Sequence, residues 1–160
     1  MNIFATSADY VDCARVLDDR RVIKMTLETA QMLCTVMRQR GFERDFMYRP
    51  THANHPCTAW IAREHRNFSW AVEHFFALAR EYTFRFDKVH KSEADLGPMF
   101  NEVYVKSLPP LSFADCSGQS GGLDVFTAYR ACLNDKWTKE RAEGYPTRWT
   151  RRGWPEWLEL

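Results

Sequence analysis

The pattern of hydrophobic and polar positions is clearest between Leu17 and Arg40, where it follows the period of an α-helix. On a helical wheel of about 100° per residue, apolar side chains cover an arc of roughly 220°. They are Val22, Ile23, Met25, Leu27, Ala30, Met32, Leu33, Cys34, Val36 and Met37. The remaining sector holds Arg20, Lys24, Glu28, Gln31, Thr35 and Arg38, with Arg21 at its edge. These proportions predict a central helix with one ionisable seam.

The same periodicity predicts helices on both sides of this segment and no strand. The predicted helices are a short one capped by Ser7 or Asp9, the central one ended by Gly41, and further ones over 58–84, 92–105 and 123–133. The segments 42–56 and 108–122 are predicted to be long irregular loops. We therefore expect an all-α fold, a compact helical bundle in which residues 1–160 form a single domain with an aromatic and basic C-terminal segment.

Composition narrows the class of protein without identifying it. The chain has 160 residues, of which 45% are hydrophobic and 27% charged, as in soluble globular domains. The N-terminus lacks a signal-peptide pattern and no apolar run is long enough for a membrane span, which predicts a cytoplasmic protein with no membrane partner. Five widely spaced cysteines predict reduced core thiols. With a net charge of only +1, any phosphate-binding surface must come from local clustering.

Such a cluster lies in the C-terminal segment. Residues 136–152 contain six cationic side chains against two carboxylates, interleaved with Trp137, Tyr145 and Trp149. Basic residues alternating with aromatic ones can hold phosphates and stack on bases. Alternatively, the tryptophans pack on the helices while the arginines stay solvated. The sequence leaves both interpretations open.

Two groups of residues are candidates for chemistry. Glu28 lies on a mostly apolar helix, where burial and neighbouring Arg21 or Lys24 can tune its proton affinity, although Lys24 and Glu28 could equally form an ordinary i,i+4 ion pair. The second group is the loop with His52, Asn54 and His55, which is expected to line a pocket facing the seam. A metal site formed by His52, His55, Cys57 and His90 is the alternative, but the spacing differs from the usual paired zinc motifs. We expect no cofactor.

A family resemblance adds to these observations. The run LDDRRVIKMTLETAQ from Leu17 to Gln31, followed by Asn54-His55-Pro56 and Trp60, resembles the pyrimidine-dimer DNA glycosylase (endonuclease V) family, in particular its less characterised phage and bacterial branch. The stretch 147–154, rich in arginine and aromatic residues, is also similar. The resemblance implies a compact all-α fold. In the characterised member, a nucleotide opposite the lesion is flipped out of the duplex, the N-terminal α-amine attacks the sugar C1′, and a helix glutamate supports imine chemistry and strand cleavage.

The family's roles transfer to this sequence residue by residue. The matching glutamate is Glu28, with Arg21 and Lys24 beside it on the helix. The family's amine sits on a small residue exposed by removal of the initiator methionine, whereas position 2 here is asparagine, before which methionine is usually retained. The nucleophile implied by the resemblance is therefore the α-amine of Met1 or of Asn2. An α-amine with an ordinary pKa of about 8 is nucleophilic at neutral pH.

The resulting hypothesis is a DNA glycosylase, with or without abasic-site lyase activity, that acts on a flipped damaged or modified base. Its expected partner is double-stranded DNA with an extruded nucleotide, bound by a monomer in the cytoplasm, or in the host cytoplasm if the gene is a phage's. Expected substrate-binding residues are Arg20, Gln31, His52, Asn54, His55, His90, Lys91, Arg148, Trp149, Arg151 and Arg152.

Two other functions stay open at this point. One is a phage-type enzyme that modifies a nucleobase or a DNA base in the same pocket, with His52, His55, Cys57 and His90 as pocket residues or metal ligands. The other is a DNA-binding relative that has kept the groove without the chemistry.

Overall fold

The computed structural model describes residues 1–119 and 121–159. Within these ranges it contains six helices and no strand, which confirms the all-α prediction. The helices are α1 (Tyr10–Arg15), α2 (Asp19–Gln39), α3 (Pro56–Arg63), α4 (His65–Phe86), α5 (Lys91–Val103) and α6 (Val125–Ala142). Among the described residues, no helix is both long and apolar enough to cross a membrane.

Helix α2 is central, as its pattern predicts, and packs against α3, α4 and α5. One part of the prediction is wrong: Ile23 and Leu27 are 44% and 39% exposed, not buried. Thr26 takes a place in the core instead. Its hydroxyl donates a 2.7 Å hydrogen bond to the carbonyl of Val22 one turn earlier, so that its burial leaves this donor satisfied.

The predicted helix over 58–84 is in fact two helices. Glu64 has extended backbone angles (φ −137°, ψ 149°), so α3 ends and α4 begins at this residue. The side-chain amide of Asn67 donates a 2.8 Å hydrogen bond to the Trp60 carbonyl, which has lost its helical partner at the break. Trp60 and Trp70 then meet edge to face in the core, with ring centroids 5.8 Å apart.

Helix α6 is longer than predicted, because it continues from Leu133 to Ala142. Most residues in this continuation are polar, so the sequence shows little apolar periodicity there. Trp137 is nevertheless fully buried, and its indole N–H donates a 2.9 Å hydrogen bond to Asp18. Trp149 and Trp157 pack against the Trp137 ring. Trp137 therefore belongs to the core, Trp149 and Trp157 pack against it, and Trp154 is exposed.

A buried arginine joins the start of α2 to α4. Arg85 donates to Glu81 at 2.8 Å, to Asp19 at 3.0 Å and to the carbonyls of Leu17 and Arg15 at 2.8 and 3.0 Å. Burial disfavours ionisation of Glu81, but hydrogen bonds from Arg152 and Arg85 outweigh it and hold the pKa of Glu81 below its ordinary value. The five cysteines are free thiols in the structure, and all except Cys116 are buried.

His74 provides a test of the fold. It is buried on α4 and stacked on Trp70, with Nδ1 3.2 Å from the Tyr10 carbonyl. Burial lowers the pKa of His74 to about 4, although the carbonyls of Tyr10 and Ile3 favour protonation. Between this value and the unfolded value of about 6.5, the unfolded chain binds a proton that the native chain does not. Stability from this group is therefore present above the unfolded pKa and decreases as the pH falls.

We expect the free energy of unfolding to fall by about 2 kcal/mol between pH 7 and pH 5 because His74 takes up a proton only when the chain unfolds. Urea denaturation at a series of pH values measures this change. His74→Gln should lose this pH dependence whatever its stability at pH 7. Other histidines act equally in both proteins, and carboxylates such as Glu81 titrate at lower pH. Parallel pH profiles for the two proteins would contradict the assignment.

Candidate active site

The N-terminal segment is held in a defined position. The side-chain oxygen of Asn2 accepts hydrogen bonds from the backbone N–H groups of Ile3 and Phe4, at 2.8 and 2.9 Å. Its amide donates to the Cys116 carbonyl at 3.3 Å. Ile3 and Phe4 are buried, and Phe4 has a positive φ of 39° that turns the chain. The segment therefore presents the α-amine of Met1 at a fixed point on α2.

That point is Glu28. The Met1 nitrogen lies 3.5 Å from Glu28 Oε2, and Lys24 Nζ lies 3.6 Å from Oε1. The Glu28 side chain is 12% exposed and the Lys24 side chain 68% exposed. One carboxylate thus lies between an amine fixed by the fold and a mobile solvated ammonium. This arrangement offers a proton acceptor beside a potential nucleophile.

The pair opens into a cavity of about 450 Å³, a size typical of small-molecule sites. Six of the lining residues contribute a cationic group and three a carboxylate, so the cavity favours an anionic ligand although the whole chain is nearly neutral. The lining residues are Met1, Asn2, Phe4, Arg20, Arg21, Lys24, Met25, Glu28, Lys136, Lys139, Glu140 and Glu143.

The wall opposite α2 is α6, and Arg21 holds it in place. The Arg21 guanidinium donates to both Glu140 oxygens, at 3.2 and 2.8 Å, and to Asp18 at 2.8 Å. Burial opposes ionisation of Glu140, but Arg21 and Arg20 keep the pKa of Glu140 below its ordinary value. Because its hydrogen bonds go to these two carboxylates, Arg21 lines the cavity mainly as the group that joins the two helices.

The structure therefore brings together Met1, Asn2, Arg20, Arg21, Lys24 and Glu28 among the predicted residues. Gln31 is half-buried one turn further along α2, outside the cavity lining. His52 and Asn54 are exposed in the loop before α3.

His55 begins α3 and lies close to the Met1–Glu28 pair in electrostatic terms. Its Nδ1 accepts a 3.2 Å hydrogen bond from the Cys57 amide, which caps the helix. The pKa of His55 is lowered, chiefly by burial; the charges of the Met1 amine and His52 act in the same direction, and Glu28 acts against them. None of His52, Asn54 and His55 is among the described residues that line the cavity.

His90 and Lys91 lie away from the cavity at the start of α5. His90 is buried, accepts a 3.1 Å hydrogen bond from the Ser92 amide and meets Tyr82 edge to face. Lys91 is exposed and pairs with Asp95 at 2.6 Å. Both have evident structural roles as a helix cap and a surface ion pair.

The predicted C-terminal residues lie outside the first cavity. The Trp149 indole donates to the Val16 carbonyl at 2.9 Å, and Arg151 and Arg152 form two-bonded ion pairs with Asp87 and Glu81 respectively. A second cavity of about 420 Å³ has three arginines and no carboxylate among its described lining residues. That lining comprises Arg141, Thr147, Arg148, Trp149, Thr150, Arg152 and Trp154.

One group of residues could hold a metal ion. Donor atoms of His55, Cys57 and Cys116 lie within 4.8 Å of one another, and the two sulfurs are 3.1 Å apart. A hydrogen bond from the Cys57 thiol lowers the pKa of Cys116 to about 7. Two cysteines and one histidine are donors that zinc uses. Of the metal ligands predicted from sequence, only His55 and Cys57 belong to this group.

The residues of α6 that complete the cavity were not among those predicted from the sequence. Lys136, Lys139, Glu140 and Glu143 recur at spacings of three and four, which places them on one face of a helix. This spacing identifies them once the helix is known to continue beyond Leu133, where the predicted helix ends. Phe4 and Met25, which line the cavity floor, carry no comparable signal.

Comparison with known proteins bears directly on this site. The sequence model of the pyrimidine dimer DNA glycosylase family matches residues 1–93, which is more than half of the chain. The chain belongs to this family. Membership implies a DNA glycosylase, and hence a protein that binds DNA. The match includes the Met1–Glu28 pair and ends before the α6 wall. No curated protein and no solved structure matched the chain.

The α6 wall yields a test of the cationic cavity. If Lys136 and Lys139 contact phosphates, their double replacement by glutamine should weaken duplex binding and reduce the salt slope of the binding constant by about 1.8, because each phosphate contact contributes about 0.9. Fluorescence anisotropy over a series of salt concentrations measures both quantities. The matched control replaces two exposed lysines outside the cavity, Lys88 and Lys106. Equal slopes for the two double variants would contradict DNA contact at this wall.

Proposed function

We propose that the protein is a DNA glycosylase with abasic-site lyase activity, which excises a damaged or modified base from an extruded nucleotide of duplex DNA. The observation that carries the proposal is the Met1 amine, held 3.5 Å from Glu28 in a cavity with excess positive charge. The family match supports the glycosylase class of reaction. We further propose that the enzyme acts as a single-domain monomer in the cytoplasm, or in the host cytoplasm if the gene is a phage's.

The first step is displacement of the base. The Met1 amine gives up a proton and attacks C1′ of the extruded nucleotide, forming a C–N bond. The glycosidic bond breaks, and the base leaves with its electron pair and takes up a proton. The C1′–O4′ bond then opens with its electron pair left on O4′, which takes up the proton that the nitrogen loses, and the nitrogen and C1′ are left joined as an imine. Glu28 Oε2 is placed to accept the proton of the amine before the attack.

The second step is strand cleavage. The imine acidifies the C2′ proton, which Glu28 can accept as general base. A double bond forms between C2′ and C3′ while the C3′–O bond breaks and the 3′-phosphate leaves. Water then hydrolyses the imine, which restores the amine and releases the sugar fragment. One carboxylate thus serves both steps, and each proton it accepts can pass to solvent through the open cavity.

Lys24 and the other cations have supporting roles. The Lys24 ammonium lies 3.6 Å from Glu28 Oε1 and is exposed enough to reach a phosphate. Arg20, Lys136 and Lys139 hold the backbone around the extruded nucleotide. Arg148, in the second cavity, extends this contact along the duplex.

The base-modifying alternative receives less support. It relies on His52, His55, Cys57 and His90 as a set, whereas His90 caps α5 and His52 lies outside the donor group around His55. No specific observation favours it over the glycosylase, so we do not propose it. The non-catalytic alternative is distinguished by the two experiments below.

We expect Glu28→Gln to lower single-turnover excision from a duplex containing a thymine dimer at least 100-fold, because the variant lacks a general base. The dissociation constant for DNA and the melting temperature should change little, since Gln keeps the size of the side chain. Glu102→Gln, on the exposed face of α5, is the control. Full activity of Glu28→Gln, or equal losses in both variants, would contradict the role of Glu28.

We expect borohydride to trap a covalent adduct with abasic-site DNA, and peptide mapping to place it at the N-terminus. A Gly-Ser extension before Met1 moves the amine away from Glu28, so the adduct and strand cleavage should both disappear. Lys24→Gln should still form the adduct. An adduct on the Lys24 peptide, or one that survives the extension, would assign the nucleophile elsewhere. Base excision without any adduct would restrict the protein to a monofunctional glycosylase.

A further inference from the structure

Two large aliphatic side chains lie exposed on α2, the central helix of the fold. Ile23 and Leu27 point outward from α2, whereas its other large apolar residues, such as Met25, Met32 and Leu33, are buried. Single exposed aliphatic residues are common on protein surfaces. Ile23 and Leu27, however, are one turn apart and form a continuous ridge. We call this pair the aliphatic ridge.

The ridge borders the candidate active site. The order of these side chains around the axis of α2 follows from about 100° per residue. Going from the ridge towards Glu28, Leu27 comes first, Arg20 lies about 20° further around, Lys24 about 40° beyond Arg20, and Glu28 about 40° beyond Lys24. The outer surface of α2 therefore presents, in order, the aliphatic ridge, two cations and the catalytic carboxylate. The side chains of Arg20 and Lys24 are 58% and 68% exposed, so they are open to a ligand.

The cations and the apolar surface of this part of α2 together indicate which ligand it binds. Arg20 and Lys24 line the cavity on the side nearest the ridge, where they suit the phosphates of a bound strand. An apolar ridge beside such cations matches the apolar faces of stacked bases, which lie next to the phosphates of each strand. Proteins that bend or open a duplex commonly insert apolar side chains between base steps for this reason.

We propose that the aliphatic ridge inserts into the base stack next to the extruded nucleotide and fills the space that the nucleotide leaves. This inference rests on the proposed function and adds to it the groups that open the duplex. Glu28 and the Met1 amine act on the sugar, while Ile23 and Leu27 favour the extruded state of that nucleotide. They are positioning residues, because they act on the stack and not on the reacting atoms.

The test replaces both ridge residues by glutamine, which keeps helix propensity and length but removes apolar surface. The matched control replaces Val105 and Leu111, two exposed aliphatic residues of the long loop, by glutamine. Single-turnover excision is measured on two substrates with the same lesion: a fully paired duplex, and a duplex in which mismatches already unpair the lesion and its neighbours. Circular dichroism verifies folding, and the single variants Ile23→Gln and Leu27→Gln replace the double variant if it does not fold.

We expect the ridge variant to lose at least tenfold in rate on the paired duplex and less than twofold on the unpaired substrate, while the control variant retains both rates. Equal losses on the two substrates, or no loss on the paired duplex, would overturn the proposal. A change of oligomeric state in the ridge variant, seen by gel filtration, would also overturn it, since the ridge would then be a protein interface.

A second readout separates this proposal from the proposed function. The fluorescence of 2-aminopurine placed beside the lesion increases when this base is unstacked, whether or not the lesion is excised. If the wild-type protein increases the fluorescence and the ridge variant does not, the ridge proposal holds. It holds even when no base is released, a result that contradicts the glycosylase proposal. If both proteins increase the fluorescence equally, the ridge proposal fails whatever the excision rates are.

Discussion

The buried carboxylate of Asp18 is the interaction on which the rest of the site depends. It is 1% exposed, and one of its oxygens accepts hydrogen bonds from both Arg21 and the Trp137 indole. Arg21 in turn bonds both oxygens of Glu140. These contacts join the first turn of α2 to the middle of α6. Removing one partner of a buried pair leaves an uncompensated charge, so these side chains are constrained together. They hold α2 and α6 at the separation that forms the cavity.

The site combines groups held by the core with groups left in solvent. Met1 and Glu28 are fixed, the first by the Asn2 turn and the second by α2, so their separation does not depend on a flexible side chain reaching across a cleft. Lys24 is solvated and can adjust to a substrate. Pre-organisation of the reacting pair lowers the entropy lost on reaching the transition state, while the solvated cation can adapt to the path of a phosphate backbone.

Local clustering explains how a nearly neutral chain can suit a polyanion. The net charge of +1 hides a cavity in which cationic groups outnumber carboxylates two to one. The excess comes from the Met1 amine and the first part of α2, inside the region matched by the family model, because the two lysines of the α6 wall are balanced by its two glutamates. The family region thus supplies the reactive pair, and the remainder of the chain supplies the facing wall and, in Arg148, part of a second cationic surface.

The sequence by itself determined the helices and the seam, because the period of apolar residues along α2 reports local geometry and places Lys24 and Glu28 one turn apart. It did not determine which part of the apolar arc of α2 the other helices leave uncovered, and so it could not show that Ile23 and Leu27 are exposed. It also missed the break at Glu64 and the continuation of α6. Only the tertiary structure placed the Met1 amine beside Glu28, since contacts between residues distant in the chain depend on how the elements pack, and local periodicity carries no information about packing partners.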